Sequence, residues 1–132
     1  MAGPMKWDEY GEKCRANGNL ALQVFVCVTT PVEPGPPPQD VMARHKAYVA
    51  GLEVDGKVFL AGPLSNAEGT YMSGAGMIVL RTGSLEEARA LAEADPMHAA
   101  GVRTFTLQAW RLNEGAPLPG VRLSQRGFDM LA

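Results

Sequence analysis

Two cysteines, two histidines and no long hydrophobic run set the first limits on this chain. Cys14 and Cys27 lie in different segments and form no CxxC; a bridge between them has nothing to support it. Cys27 sits inside the apolar run "LALQVFVCVTT", where a small buried hydrophobe is its role. His45 and His98 are too few and too poorly spaced for a metal site, so none is assigned. Excess positive charge is also lacking. A formal charge of −2 offers no broad attraction for phosphate backbones, which argues against a nucleic-acid partner. No apolar stretch approaches the roughly 18 residues of a membrane span. The N-terminal "MAGPMKWDEYGEKC" has no apolar signal-peptide core. The expectation is a soluble, cytoplasmic protein without a membrane partner.

What is present is an ordinary globular balance, 46% apolar and 20% charged over 132 residues. That length suits one domain with a genuine core. The expected division is an N-terminal helical extension over 1–19, a core over 20–112 and a tail over 113–132. In "MKWDEYGEKCRA", Trp7, Tyr10 and Cys14 form one stripe of a short amphipathic helix, read as a docking face, and "NGN" stops it. "LALQVFVCVTT" (20–30) reads as a strand. Leu20, Leu22, Val24, Val26 and Val28 fall on one face, with Ala21, Phe25 and Cys27 on the other. Both are apolar, which predicts a central strand covered on both sides. "TPVEPGPPPQD" holds five prolines and is an extended linker.

From Gln39 the pattern is helical, with Asp40 as N-cap. Val41, His45, Tyr48, Val49 and Leu52 share one face. "GKVFLAGP" reads as a short strand stopped by Gly62 and Pro63. The loop "LSNAEGTYMSG" is a candidate lid or rim, and "AGMIVLRT" is the next strand. Its "GAG" precedes a strand rather than a helix, so it is no phosphate loop. "GSLEEARALAEAD" is a helix with Ser84 as N-cap and Glu87 as capping-box partner, burying Leu85, Ala88, Leu91 and Ala92. "VRTFTLQAWRL" is the last strand. Two split β-α-β units of this kind make an α+β, ferredoxin-like βαββαβ fold: a four-stranded antiparallel sheet with both long helices on one face. The other face then needs a cover, and a second subunit's sheet would supply it.

Chemistry enters at "LAEADPMHAAG". Proline disfavours the α conformation in the residue before it, so the helix ends near Asp95. Asp followed by Pro also makes a good N-cap and N1 pair for a short turn. Alone, Asp95 reads as a cap, and His45 alone reads as a satisfied core histidine. Together they are two polar residues on the inward faces of helices lying on one side of a sheet. A buried ionisable group is costly unless paired. A carboxylate beside an imidazole removes that cost, fixes the ring's tautomer, raises its basicity and leaves the other nitrogen to exchange protons.

The residues also resemble a known family. "RHKAYVAGLEVDGKVFLAGPL", then "GMIVLRTGSLEEARALAEADP", "AGV" and a strand ending in Trp110, resemble the YCII-related (YciI-like) family in the same order. The resemblance spans 20–111. It implies a dimeric α+β barrel of ferredoxin-like subunits with a site built on a His-Asp pair, here His45 and Asp95. It also implies, in a few members, removal of hydrogen chloride from a chlorinated hydroxyquinol-type ring. The N-terminal helix, the proline-rich insertion and the C-terminal tail depart from the family pattern. So does Met97, where an aromatic residue is common.

The resulting expectation is a cofactor-independent lyase, isomerase or dehydrochlorinase-like enzyme. It would move a proton on a small, activated substrate, aromatic or quinol-type rings included, through His45 and Asp95. Gly62, Pro63 and Ser65 would line the pocket, Ser65 as a hydrogen-bond donor or simply a turn residue. Tyr48, one turn from His45, would touch ligand or pack the core. The alternative is a non-catalytic dimeric barrel that binds a small metabolite or a partner; a cofactor-free oxygenase is a third reading. No cofactor is called for, and a homodimer or higher homo-oligomer is expected.

Overall fold

In the computed structural model, which describes residues 3–115, the chain divides into two compact units. One comprises residues 23–110, the other the N-terminal segment together with residues from 111 on. The expected tail over 113–132 falls almost wholly outside the described residues. Among those described, no helix is long and apolar enough to cross a membrane.

The larger unit follows the order β1 (Leu22–Pro31), α2 (Gln39–Val54), β2 (Val58–Ser65), β3 (Met72–Leu80), α3 (Leu85–Ala94), α4 (Pro96–Ala99) and β4 (Arg103–Leu112). The sheet order is β2-β3-β1-β4, and β3 pairs antiparallel with both β1 and β2. This is the ferredoxin-like βαββαβ arrangement, with β1 inside the sheet. In register, Phe25 stands opposite Leu80 and Cys27 opposite Ile78. Phe25 and Leu80 join Ala88 in a buried cluster against Leu52, Leu91 and Leu107, so α2 and α3 cover this face. Fully burying side chains of this size stabilises the fold by about 1.5–3 kcal/mol each. The opposite face carries Val26 and, in register through Val79, Leu60. Leu60 remains 45% exposed, and Trp110, one step out of phase with the inward Ala109, remains 43% exposed. On that face β1 itself is covered, fully at Val24 and partly at Val26, while the edge strands stay open at Leu60 and Trp110.

Several local expectations need correction. α2 starts at Gln39 after Pro38, with no side-chain cap, and Asp40 lies in its first turn instead of capping it. β2 does not stop at Gly62 and Pro63 but runs through them to Ser65, with a register irregularity between Pro63 and Ser65. An edge strand can accept proline because its outer side needs no ladder donor. The supposed lid shrinks accordingly, since β3 begins at Met72. The six intervening residues form a hairpin loop gathered by Asn66, whose Oδ1 accepts from the Thr70 and Tyr71 N–H groups. Leu85 is exposed rather than buried, because it opens α3 before that helix reaches the sheet. The capping box forms on one arm only. Ser84 Oγ accepts from Glu87 N–H, while Glu87 Oε2 takes the N–H of Gly83, one residue earlier than the motif requires.

In the smaller unit, α1 (Trp7–Ala16) buries Gly11 and Cys14, whereas Trp7 and Tyr10 of the predicted docking stripe are each 41% exposed. The Arg111 guanidinium lies over the Trp7 ring at 4.7 Å and against Gly11, where a Cβ would force it to shift. Cys14 and Cys27 are both free and buried.

Candidate active site

α3 ends where Pro96 removes the next helical donor, and the chain restarts at once as α4. Asp95 is the hinge between them. Its extended backbone closes α3, and its Oδ1 accepts the Met97 N–H at 2.9 Å as the N-cap of α4. Gly101, in the left-handed region at φ 73°, lets the chain leave α4 for β4. At this corner Asp95 is only 3% exposed.

His45 reaches the same carboxylate from the inward face of α2. Its Nδ1 lies 2.8 Å from Oδ1 and 2.9 Å from Oδ2 of Asp95. Facing a carboxylate, Nδ1 carries the hydrogen and donates it. In the neutral ring Nε2 keeps a lone pair, and it has no hydrogen-bond partner among the described residues. The side chain is 25% exposed. Burial pushes the Asp95 carboxyl upward. The hydrogen bonds from His45 and Met97 and the charges of His45 and His98 outweigh that push and hold its pKa below the usual value of 3.8. Asp95 is therefore an anion across the physiological range, serving as both a cap and the partner of an imidazole.

Beneath Asp95 a narrow crevice runs between the helices and the sheet, lined by Cys27, Tyr48, Val49, Leu91 and His98 among others. Tyr48 faces it, but its O–H donates to Leu91 O at 2.7 Å, tying α2 to α3. Burial and the neighbouring Asp95 charge raise the phenol's pKa, so it stays a donor. Cys27 is pushed up to about 11 by burial and by Asp95, so its thiol is no nucleophile at neutral pH. Gly62, Pro63 and Ser65 are exposed on β2 and do not line the crevice, and Ser65 Oγ donates to Asn66 O. Among the described residues no three His, Cys, Asp or Glu side chains gather as a metal ion would need.

Three residues with no role assigned from sequence complete the surroundings. His98 Nδ1 lies 2.6 Å from Ala92 O, and its Nε2 lies 2.8 Å from Thr29 Oγ1. Arg103 Nε donates to that same Oγ1 at 2.9 Å. A signal for them existed. Thr29 continues the inward row Phe25, Cys27, and Arg103 continues Phe105, Leu107. A polar residue at an inward position needs a partner.

The βαββαβ fold thus carries a part-buried His-Asp pair where α2 meets the α3–α4 corner. Residues 24–111 match the model of the YCII-related domain, and the chain belongs to that family. The uncharacterized protein YjpA of Bacillus subtilis (strain 168) is 32% identical over 76 residues, covering 58% of this chain and 82% of that protein. Among solved structures, the 5-chloro-2-hydroxyhydroquinone dehydrochlorinase TftG from Burkholderia phenoliruptrix AC1100, in complex with 2,5-dihydroxybenzoquinone, aligns over 70% of this chain and 95% of its own. That alignment has a TM-score of 0.44 and 20% identity.

Proposed function

We propose that the protein is a cofactor-independent enzyme of the lyase or isomerase kind, dehydrochlorination included, acting on a small activated organic substrate such as a quinol-type ring. The observation that carries this reading is the pairing at His45: Nδ1 engaged by a buried carboxylate and Nε2 left with its lone pair on a partly exposed ring. In the proposed step, Nε2 takes a proton from a substrate C–H or O–H. The positive charge formed on the ring is balanced by Asp95, which keeps Nδ1–H. The electron pair released in the substrate expels a leaving group, or moves along it so that the proton returns at another carbon. For dehydrochlorination the chloride leaves as the anion and His45 passes the proton to solvent. We place the protein in the cytoplasm and take the less covered sheet face, with Leu60 and Trp110, as the surface joining two subunits.

A second reading, a non-catalytic binding protein, is favoured by one fact: the Asp95 carboxylate already has a complete structural task at the Met97 N–H. The two readings part in one assay. His45→Ala and Asp95→Asn are compared on a panel of chlorinated and unchlorinated hydroxyquinols, with melting temperatures recorded. Asn can still cap α4. Its NH2 group, however, replaces an acceptor facing Nδ1, and the negative charge is gone. The enzyme reading requires a substrate-dependent rate that His45→Ala abolishes and Asp95→Asn lowers by orders of magnitude in a folded protein. Ligand binding without turnover would establish the second reading.

A further inference from the structure

In a neutral His98 ring the partners fix where each hydrogen of the network lies. Ala92 O only accepts, so His98 Nδ1 carries the ring hydrogen. Arg103 Nε only donates, so Thr29 Oγ1 accepts from it and points its own hydrogen at His98 Nε2. Arg103 is itself anchored, its Nη2 donating to the main-chain oxygens of Thr29 and Gly74. The His98 ring also packs against Phe105, with centroids 4.6 Å apart. Its two nitrogens and one face are thus committed to α3, β1 and β4.

Those commitments close around one residue. Ala92 O, the acceptor of the His98 ring, also accepts the Asp95 backbone N–H at 3.3 Å. Asp95 O in turn accepts the His98 N–H at 2.9 Å. The corner that carries Asp95 is therefore stitched from inside by its own backbone and from outside by His98. α4 has only four residues, too few to hold a fixed direction through its own hydrogen bonds.

We infer that His98 is a positioning residue: bound to Ala92 and to a Thr29 hydroxyl oriented by Arg103, it clamps the α3–α4 corner to the sheet and so aims the Asp95 carboxylate at His45. The inference rests on the proposed role of the His45–Asp95 pair, but its test needs no turnover.

Long-range 15N–1H spectra of the imidazole rings, recorded where both are neutral, report which nitrogen carries hydrogen. In the unmodified protein both histidines show the Nδ1–H form. Thr29→Val keeps shape but removes the hydroxyl, and Thr29→Ser restores it. His98→Phe keeps the ring packing and removes both hydrogen bonds. The clamp predicts that His45 loses the pure Nδ1–H signature in Thr29→Val and in His98→Phe, moving toward the mixed tautomers of free imidazole, and regains it in Thr29→Ser. A His45 spectrum unchanged in either disabling variant that remains folded by circular dichroism overturns the inference, and His98 is then packing alone. Should both disabling variants unfold, Arg103→Met, which frees the Thr29 hydroxyl while leaving it in place, must broaden or split the His98 signals and shift those of His45; no change overturns the clamp. Absence of any turnover would count against the proposed enzyme and leave this result standing.

Discussion

The two histidines of this chain sit within reach of the same aspartate, and they are built for opposite ends. His45 spends one nitrogen on Asp95, and among the described residues nothing takes the other on a ring that is partly exposed. His98 spends both, on Ala92 and Thr29, and lays its face on Phe105. An imidazole whose two nitrogens are saturated can hold a backbone corner but cannot accept a substrate's proton without breaking a bond. One with a free lone pair can do chemistry while its other nitrogen still pairs a buried carboxylate. The contrast teaches that residue type and proximity to a carboxylate do not make a proton carrier; the unspent nitrogen does.

The sharpest way to break this contrast is to remove each ring in turn. His45→Ala should abolish turnover of any substrate found for the unmodified enzyme and also lower the melting temperature, because the buried Asp95 carboxylate loses its imidazole partner. A variant that keeps its rate would end His45's claim. Next comes Asp95→Asn, for which a rate loss of about 10²–10⁴-fold is expected with the α4 cap kept, since general acid–base assistance contributes on that scale. Urea unfolding beside the kinetics separates the two effects.

His98→Ala should cost stability of about 1–3 kcal/mol, since the Thr29 hydroxyl hydrogen loses its acceptor and Phe105 loses the ring packed on it. Denaturant midpoints unchanged within error would show that the network is dispensable. Acid should act through Asp95. Its folded pKa lies below its unfolded value near 3.8, so its stabilisation is fully present above that value and is lost as pH falls through the folded pKa. Melting curves from pH 5 downward should therefore show the unmodified protein losing an advantage that Asp95→Asn never had. The smallest effect belongs far from both rings. Pro36→Ala or Pro38→Ala, on exposed residues before α2, should cost no more than about 0.4–1 kcal/mol, acting mainly through the unfolded chain. A loss of several kcal/mol would give that segment a structural task.

Much of this was legible in the residue order. The apolar face of α2, the Ser84 cap of α3, the Asp-Pro restart at Asp95 and the order of strands all follow from periodicity and local hydrogen bonding. The failures are also physical. The reach of β2 through Gly62 and Pro63 was hidden because turn-forming residues are tolerated on an edge strand, and edge position is a property of the sheet. Leu85 and Trp7 fit apolar stripes, yet a stripe does not say how far along a helix its neighbour extends.

By itself the sequence determined that His45 and Asp95 face inward and that Asp95 must end one helix and begin another. These are consequences of helical period and of proline chemistry, acting over a few residues. Their shared inward faces also pointed to His45 as the partner of Asp95, but not to the geometry of the contact. His98 lies three positions from Asp95 and His45 fifty, so chain distance favours the wrong one. Only the packing of α2 brings His45 Nδ1 to 2.8 Å, while Ala92 and a Thr29 hydroxyl held by Arg103 occupy His98 elsewhere. A hydrogen bond demands ångström-scale placement of two side chains, and between distant segments that placement is set by the packed core rather than by any local pattern.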